Sequence, residues 1–397
     1  LHRKTLAAQI ALQQRAHFSL IIQYQNPHRH DFPLPDHKLA QHSVAAIDKS
    51  ACAARAKSQP IYCKRLQSAL FLIIANHLHN SLTPGQGRLD YTGLHQPTRS
   101  SIMNLYHGPL KWLPLIVIGI ALLEIVILQR KKIAWSWQET CNSIFISFGQ
   151  RVSAMAGAGL FAGVYLWSWD HRLFTVPLPS VWGIALLFLG QEFLYYWEHR
   201  LSHECRWFWA SHVVHHSPNH LNLSAAYRLS WSAPFTGQSL IFLPMVWLGF
   251  HPAAVFGMLA INLLYQFWLH TELVPRLGWF DRIFNSPSNH RVHHAANLRY
   301  LDANYGGILI IFDRLFGTWI AEDEHEPCRF GLVKPLTSNN PLVIVFQEWL
   351  ALGRDMLRHR NPTIWFNYLV QPPGWQPEGK GQTTAQMRAL LRDMSIR

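Results

Sequence analysis

Three histidine arrays constrain this chain more than any other feature. They are His199-Arg200-Leu201-Ser202-His203, His212-Val213-Val214-His215-His216 and His290-Arg291-Val292-His293-His294. Residues three and four apart share one face of an α-helix. The spacing therefore predicts three helices, each presenting its imidazoles in one direction. A further histidine, His270, ends an apolar run in Trp268-Leu269-His270-Thr271-Glu272. Imidazoles packed together without a cation leave buried ring nitrogens without partners, which is costly. Neutral imidazole is the commonest protein metal ligand. Eight or nine such rings exceed the four positions of tetrahedral zinc, so two metal ions are expected. The zinc-protease pattern H-E-x-x-H is absent, because Arg200 follows His199. Spacing alone leaves Zn, Fe, Cu and Ni open.

Five apolar runs surround these arrays, at residues 112–128, 152–169, 177–197, 233–250 and 253–269. Each is close to the ~20 residues with which a helix crosses a bilayer. Composition agrees. Charged residues are 14% of the chain, hydrophobic residues 49%, and there are 17 Trp. A typical soluble domain carries roughly 25% charge. So much apolar mass excludes intrinsic disorder. The five cysteines (Cys52, Cys63, Cys141, Cys205, Cys328) are odd in number and scattered, which excludes a disulfide-stapled secreted domain. The expected fold is all-α: a multi-pass transmembrane helical bundle with a cytoplasmic, histidine-rich, metal-binding cap. Only His251-Pro252 separates the last two runs. They read as a tight helical hairpin that spans the bilayer or dips into it.

Basic flanks set the orientation. Gln129-Arg130-Lys131-Lys132 follows the first run and is expected in the cytoplasm. Alternation then brings His199 and His270, at the ends of the third and fifth runs, to the same side. Arg200, Arg206, Arg228, Arg276, Arg282, Arg291 and Arg299 follow those runs, whereas the opposite loops carry only Arg172 and no Lys. The net charge is +13 without a nucleic-acid motif. The excess points to an anionic lipid surface and away from nucleic acid. Residues 1–102 differ from the rest: no Trp, no Glu, and twelve Lys/Arg against four Asp. They read as an acid-poor targeting segment or, preferably, as sequence ahead of a start at Met103, and no site residue is expected there. Residues 103–190 are then membrane helices, 191–335 the catalytic domain and 336–397 a C-terminal cytoplasmic tail. A metal cage where an apolar chain can enter from the bilayer suits attack on an unactivated C–H bond, which favours iron and O2. A histidine-rich transporter or sensor would need ionisable ligands within the membrane interior; these histidines follow the runs instead.

From about residue 191 to 318 the chain resembles the fatty acid hydroxylase/sterol desaturase superfamily of membrane non-haem di-iron enzymes. Besides the arrays, the likeness rests on Tyr195-Tyr196-Trp197, Asn304-Tyr305-Gly306 and Phe312-Asp313-Arg314-Leu315-Phe316-Gly317-Thr318. The closer likeness is to the branch that cleaves ether lipids with tetrahydrobiopterin. It is carried by Glu204 after His203, Asn222-Leu223-Ser224, the block Leu264-Tyr265-Gln266-Phe267 before Trp268, Pro287-Ser288-Asn289 before His290, and Pro373-Gly374-Trp375-Gln376-Pro377. Glu192 departs from the superfamily's usual Asp. The chain also offers only a modest run at 341–352 where that branch continues into further hydrophobic helices.

The resemblance implies a membrane oxygenase that hydroxylates a lipid C–H bond with O2 at two irons. His199, His203, His212, His215, His216, His290, His293 and His294 are the implied ligands, with His270 a ninth or a supporting partner. Glu204 is the implied catalytic acid. Asn304 and Asp313 would hydrogen-bond ligand imidazoles or serve as turn residues. His171, His220 and His251 fall outside the spacing and are expected to take no part. No flavin or haem motif occurs, so an external reductant is implied, tetrahydrobiopterin in that branch. The implied substrate is an alkylglycerol ether. The alternative is a sterol, fatty acid or carotenoid hydroxylase or desaturase with a separate redox partner. The implied location is the bacterial inner membrane or the endoplasmic reticulum.

Overall fold

A computed structural model describes residues 112–379 and 381–395; the expectations for residues 1–102 lie outside the described residues. Among the described residues every regular element is helical, and strand pairing is limited to isolated bridges such as Phe284 with Leu309. The first four helices are α1 (Leu113–Lys131), α2 (Trp137–Gly157), α3 (Ala162–Asp170) and α4 (Val181–Glu204). Side-chain caps start two of them. Ser136 accepts the Glu139 N–H at 3.3 Å, and Ser180 accepts the Gly183 N–H at 2.9 Å, which satisfies a donor that the helix itself leaves free.

Two of the apolar runs are not the continuous helices expected. The run 152–169 breaks at residues 158–161, and α3 leaves α2 at an angle of 50°. The run 233–250 is mostly not α-helical. It passes through 3-10 turns at Ala233–Phe235 and Gln238–Phe242 before a short helix, Leu243–Leu248, forms. Pro234 and Gly237, whose φ is +84°, explain the break: proline withholds an N–H, and the left-handed conformation ends a helix. The expected tight hairpin is therefore a broken stretch leading into α7 (Pro252–Phe267). In chain order, α5 (Arg206–His216) precedes that stretch and α6 is Leu243–Leu248. Among the described residues no single helix is long and apolar enough to cross a membrane, although α2 and α3 reach that size together. The apolar part of α1, residues 113–128, is only about 24 Å long at 1.5 Å per residue, against a ~30 Å hydrocarbon core.

The remaining helices are α8 (Pro287–His294), α9 (Ile311–Phe316), α10 (Pro341–Leu357), α11 (Pro362–Val370) and α12 (Thr384–Ser395). Two ties hold the site region together. The first is at the elbow between α4 and α5, where Cys205 is extended (φ −122°, ψ 117°) and serves as the end of one helix and the start of the next. The Arg206 guanidinium pairs there with Glu348 and Asp355 of α10, each at 2.8 Å. Ile344 and Val345 of α10 pack with Val213 and Val214 of α5 and Ile146 of α2, and each buried aliphatic side chain is worth roughly 1.5–3 kcal/mol. The C-terminal segment thus supports a histidine-bearing helix.

The second tie is Glu192 on α4. It is 1% exposed. One carboxylate oxygen accepts the N–H groups of Ile308 and Leu309, both at 2.8 Å, and the other accepts Asn262 Nδ2 at 2.5 Å. This joins α4, α7 and the strand-like loop before α9. Gly307 permits the close approach, since a Cβ there would lie 2.1 Å from Asn262 Nδ2.

Candidate metal centre

All nine histidines singled out by spacing converge. His199, His203, His212, His216 and His293 form one group, and His215, His270, His290 and His294 a second. Within each group the ring nitrogens lie within 4.8 Å of one another. Seven of the nine side chains are buried. The arrays cross over. From α5, His212 and His216 enter the first group while His215 enters the second. From α8, His290 and His294 enter the second group while His293 enters the first. Helix α4 completes the first group, and His270, just beyond α7, completes the second.

The three excluded histidines lie elsewhere. His171 stacks on Trp167, His220 pairs with Glu139 at 3.0 Å, and His251 caps α7 by accepting the Ala253 N–H.

Hydrogen bonding fixes several ring orientations. His199 Nδ1 donates to the Tyr305 carbonyl at 2.8 Å, His270 Nδ1 to Gln266 at 2.9 Å and His293 Nδ1 to Ala303 at 2.9 Å. A neutral imidazole with its proton on Nδ1 carries a lone pair on Nε2. Those Nε2 atoms face other imidazoles. His199 and His212 approach at 3.1 Å, His270 and His215 at 3.2 Å, and His270 and His290 at 3.0 Å. Nε2 of His203 and of His293 is buried with no hydrogen-bond partner at all. The single lone pair of His270 Nε2 faces two imidazole nitrogens, and the buried Nε2 atoms of His203 and His293 face no donor; a first-row transition metal suits such an all-nitrogen set.

The protein environment favours the neutral form of eight of the nine rings. Burial, then the neighbouring His203, pushes His199 down to about 3, and burial pushes His270 down to about 4. Burial followed by adjacent imidazoles lowers His212, His215, His216, His290, His293 and His294 well below their ordinary value. Between these depressed values and about 6.5 the unfolded chain binds more protons than the folded one, so stability rises with pH across that interval and levels off above it. The metal-free protein is therefore expected to be less stable at pH 5.5 than at pH 7.5. Thermal melting across that range checks this; an unchanged melting point would mean that the rings are solvated.

Asn304 and Asp313 do not touch the imidazoles, contrary to one of the two roles considered for them. Asp313 accepts the N–H groups of Tyr305 and Gly306 and the Thr318 hydroxyl. Asn304 donates to the carbonyls of Asn289 and Ile320. They hold the backbone whose carbonyls orient His199 and His293, one step behind the rings. Glu204 lies outside both groups. It pairs with Arg200 at 2.9 Å, with its side chain 38% exposed. A carboxylate that sequence reasoning missed is nearer: Asp302 Oδ1 lies 3.5 Å from His203 Nδ1. No periodicity marks it, because it sits in a loop about a hundred residues from its partner.

Residues 184–318, which contain both imidazole groups, match the fatty acid hydroxylase family profile. Alkylglycerol monooxygenase of Danio rerio is 34% identical to the chain over 304 residues, covering 75% of this chain and 67% of that protein. The chain belongs to the fatty acid hydroxylase family. Within that family, the alkylglycerol monooxygenases of Homo sapiens and Xenopus tropicalis are also 34% identical, over 302 and 262 residues. They match 75% and 64% of this fatty acid hydroxylase family member and are themselves covered to 66% and 58%. The chain thus spans about two thirds or less of the length of these relatives. No solved structure matches it.

Proposed function

We propose that the protein is a membrane-bound di-iron monooxygenase that hydroxylates a lipid next to an ether oxygen, with an alkylglycerol as substrate and tetrahydrobiopterin as reductant. The observation that carries this reading is the pair of imidazole groups whose ring nitrogens converge, with Nε2 of His203 and His293 buried and unpartnered. The nine imidazoles are the proposed ligands, and the histidine-bearing region between about 191 and 335 is the proposed catalytic domain. Two irons held there would supply the oxygen activation needed to break an unactivated C–H bond. The chain's own part is to fix the rings. The carbonyls of Tyr305, Gln266 and Ala303 hold the proton on Nδ1 and aim Nε2 inward.

Lipid access is supported by the outer surface. Leu115, Leu123, Phe148, Leu166, Val181 and Trp182 are all exposed on α1 to α4. Such a belt of large apolar groups marks contact with lipid or a partner, and we place it in the bilayer, with the basic end of α1 and the imidazole groups on the cytoplasmic side. An amphiphile can then leave its head at the interface and present the carbon beside its ether oxygen. Oxygen lone pairs stabilise electron deficiency at that carbon, so its C–H bond breaks more easily than those further along. One atom of O2 enters the C–H bond. The other leaves as water, with two electrons from the reductant and two protons. The resulting hemiacetal separates into a fatty aldehyde and glycerol. Glu204, partly exposed and paired with Arg200, is proposed to act on the incoming substrate or reductant and not as a ligand.

Iron-loaded protein supplied with O2, tetrahydrobiopterin and an alkylglycerol is expected to release fatty aldehyde and glycerol. Glu204→Ala should lose this turnover while retaining its iron. Protein that ignores alkylglycerols but oxidises a sterol with another reductant would overturn the ether-lipid assignment.

A further inference from the structure

We propose that Asp302 is a positioning residue for His203, and that the C-terminal helix α12 holds it in place, so that α12 sets the metal affinity of the five-imidazole group selectively. This rests on the metal-binding reading above. Three of the nine rings have Nδ1 on a neutral backbone carbonyl. His203 instead has the Asp302 carboxylate beside Nδ1, while its Nε2 is buried, unpartnered and part of the five-imidazole group. A carboxylate placed behind a ligand imidazole orients the ring for its metal, and its loss typically weakens metal binding.

Asp302 does not hold this position unaided. Its φ is +51°, a left-handed conformation that few non-glycine residues adopt. The supporting groups come from α12. Arg388 gathers the carbonyls of the preceding turn, reaching Leu298 at 3.3 Å, Arg299 at 3.1 Å and Leu301. These bonds from α12 close the turn that leads directly into Asp302. The Pro373-Gly374-Trp375-Gln376-Pro377 motif delivers this helix. Gly374 has φ +82° and its carbonyl accepts the Gln382 N–H at 2.8 Å, which turns the chain back toward residue 384. A Cβ at Gly374 would lie 2.5 Å from the Gln382 carbonyl oxygen. Asp302 lies inside the region that matches the family profile, whereas α12 lies outside it.

The test uses the full chain, anaerobic, titrated with Co(II) as a spectroscopic stand-in for iron. Wild-type protein is expected to bind two equivalents. Asp302→Asn keeps the side-chain shape, and asparagine tolerates positive φ well, so the fold persists while the charge is removed. One of the two equivalents should weaken about 10- to 100-fold and the other should not change, leaving the visible spectrum of a single occupied group. Arg388→Ala, at a side chain whose hydrogen bonds go to backbone carbonyls, should weaken the same equivalent in the same direction. Asp302→Glu should restore part of the loss. Two unchanged equivalents in Asp302→Asn, or equal weakening of both, would overturn the inference while leaving the metal reading intact. Wild-type protein that takes up no metal would overturn both.

Discussion

His215→Ala and His293→Ala are each expected to abolish lipid hydroxylation and to cut bound iron from two equivalents to about one. His215 belongs to the four-imidazole group and His293 to the five-imidazole group, so the two variants empty different places. His215 Nε2 lies 3.2 Å from His270 Nε2, and the His293 ring centroid is 4.4 Å from that of His199. Alanine leaves each gap facing buried imidazoles with no other donor to fill it. Losing a ligand from a paired centre is worth ~4 kcal/mol or more of transition-state stabilisation, about a thousand-fold in rate. His251→Ala is the control. It caps an exposed helix start, costs at most about 1 kcal/mol of stability and should keep its activity. Iron analysis and single-turnover assays check all three. A His215→Ala protein that still turns over with two irons would dismantle the assignment of the groups.

The second large effect is structural. Glu192→Leu is expected to remove most of the folded protein. It would strand the N–H groups of Ile308 and Leu309 and the amide of Asn262, all of which now end on the carboxylate. Each buried donor left without an acceptor costs about 1–3 kcal/mol, so three together are comparable to the whole stability of a typical domain. Glu192→Gln retains an acceptor oxygen and should be milder. Thermal melting and the monodisperse fraction in detergent measure both. A Glu192→Leu protein that melts with the wild type would mean that water or rearrangement satisfies those donors.

The parts of the molecule legible in its sequence are those with a local period. The spacing of His212, His215 and His216 announces a helix face, and α5 supplies it. The same holds for His290, His293 and His294 on α8, and for α4 ending just after His203. The division of the nine rings into five and four was not legible, because it depends on how α5 and α8 dock. Nor was Asp302, since a loop carboxylate beside a histidine on a distant helix leaves no pattern. The run 233–250 misled in the opposite direction. Its apolar composition suggests a helix, yet Pro234 and Gly237 divert the backbone. Glu192 marked itself only by departing from the expected Asp, and its role emerges from contacts with residues more than a hundred positions away.

The crossing of the arrays also turns two helices into rulers. His215 and His216 are consecutive residues on α5, and each serves a different group; His293 and His294 do the same on α8. The interval between the groups is therefore set within covalently continuous, hydrogen-bonded rods, by the roughly 100° turn between consecutive side chains, as well as by the packing between helices. Small slippage between α5 and α8 would loosen the grip on each occupant but would leave the part of the gauge set within each helix unaltered. A chemistry that requires two centres to act on one molecule at a fixed separation gains tolerance from this, since part of the spacing does not depend on tertiary packing.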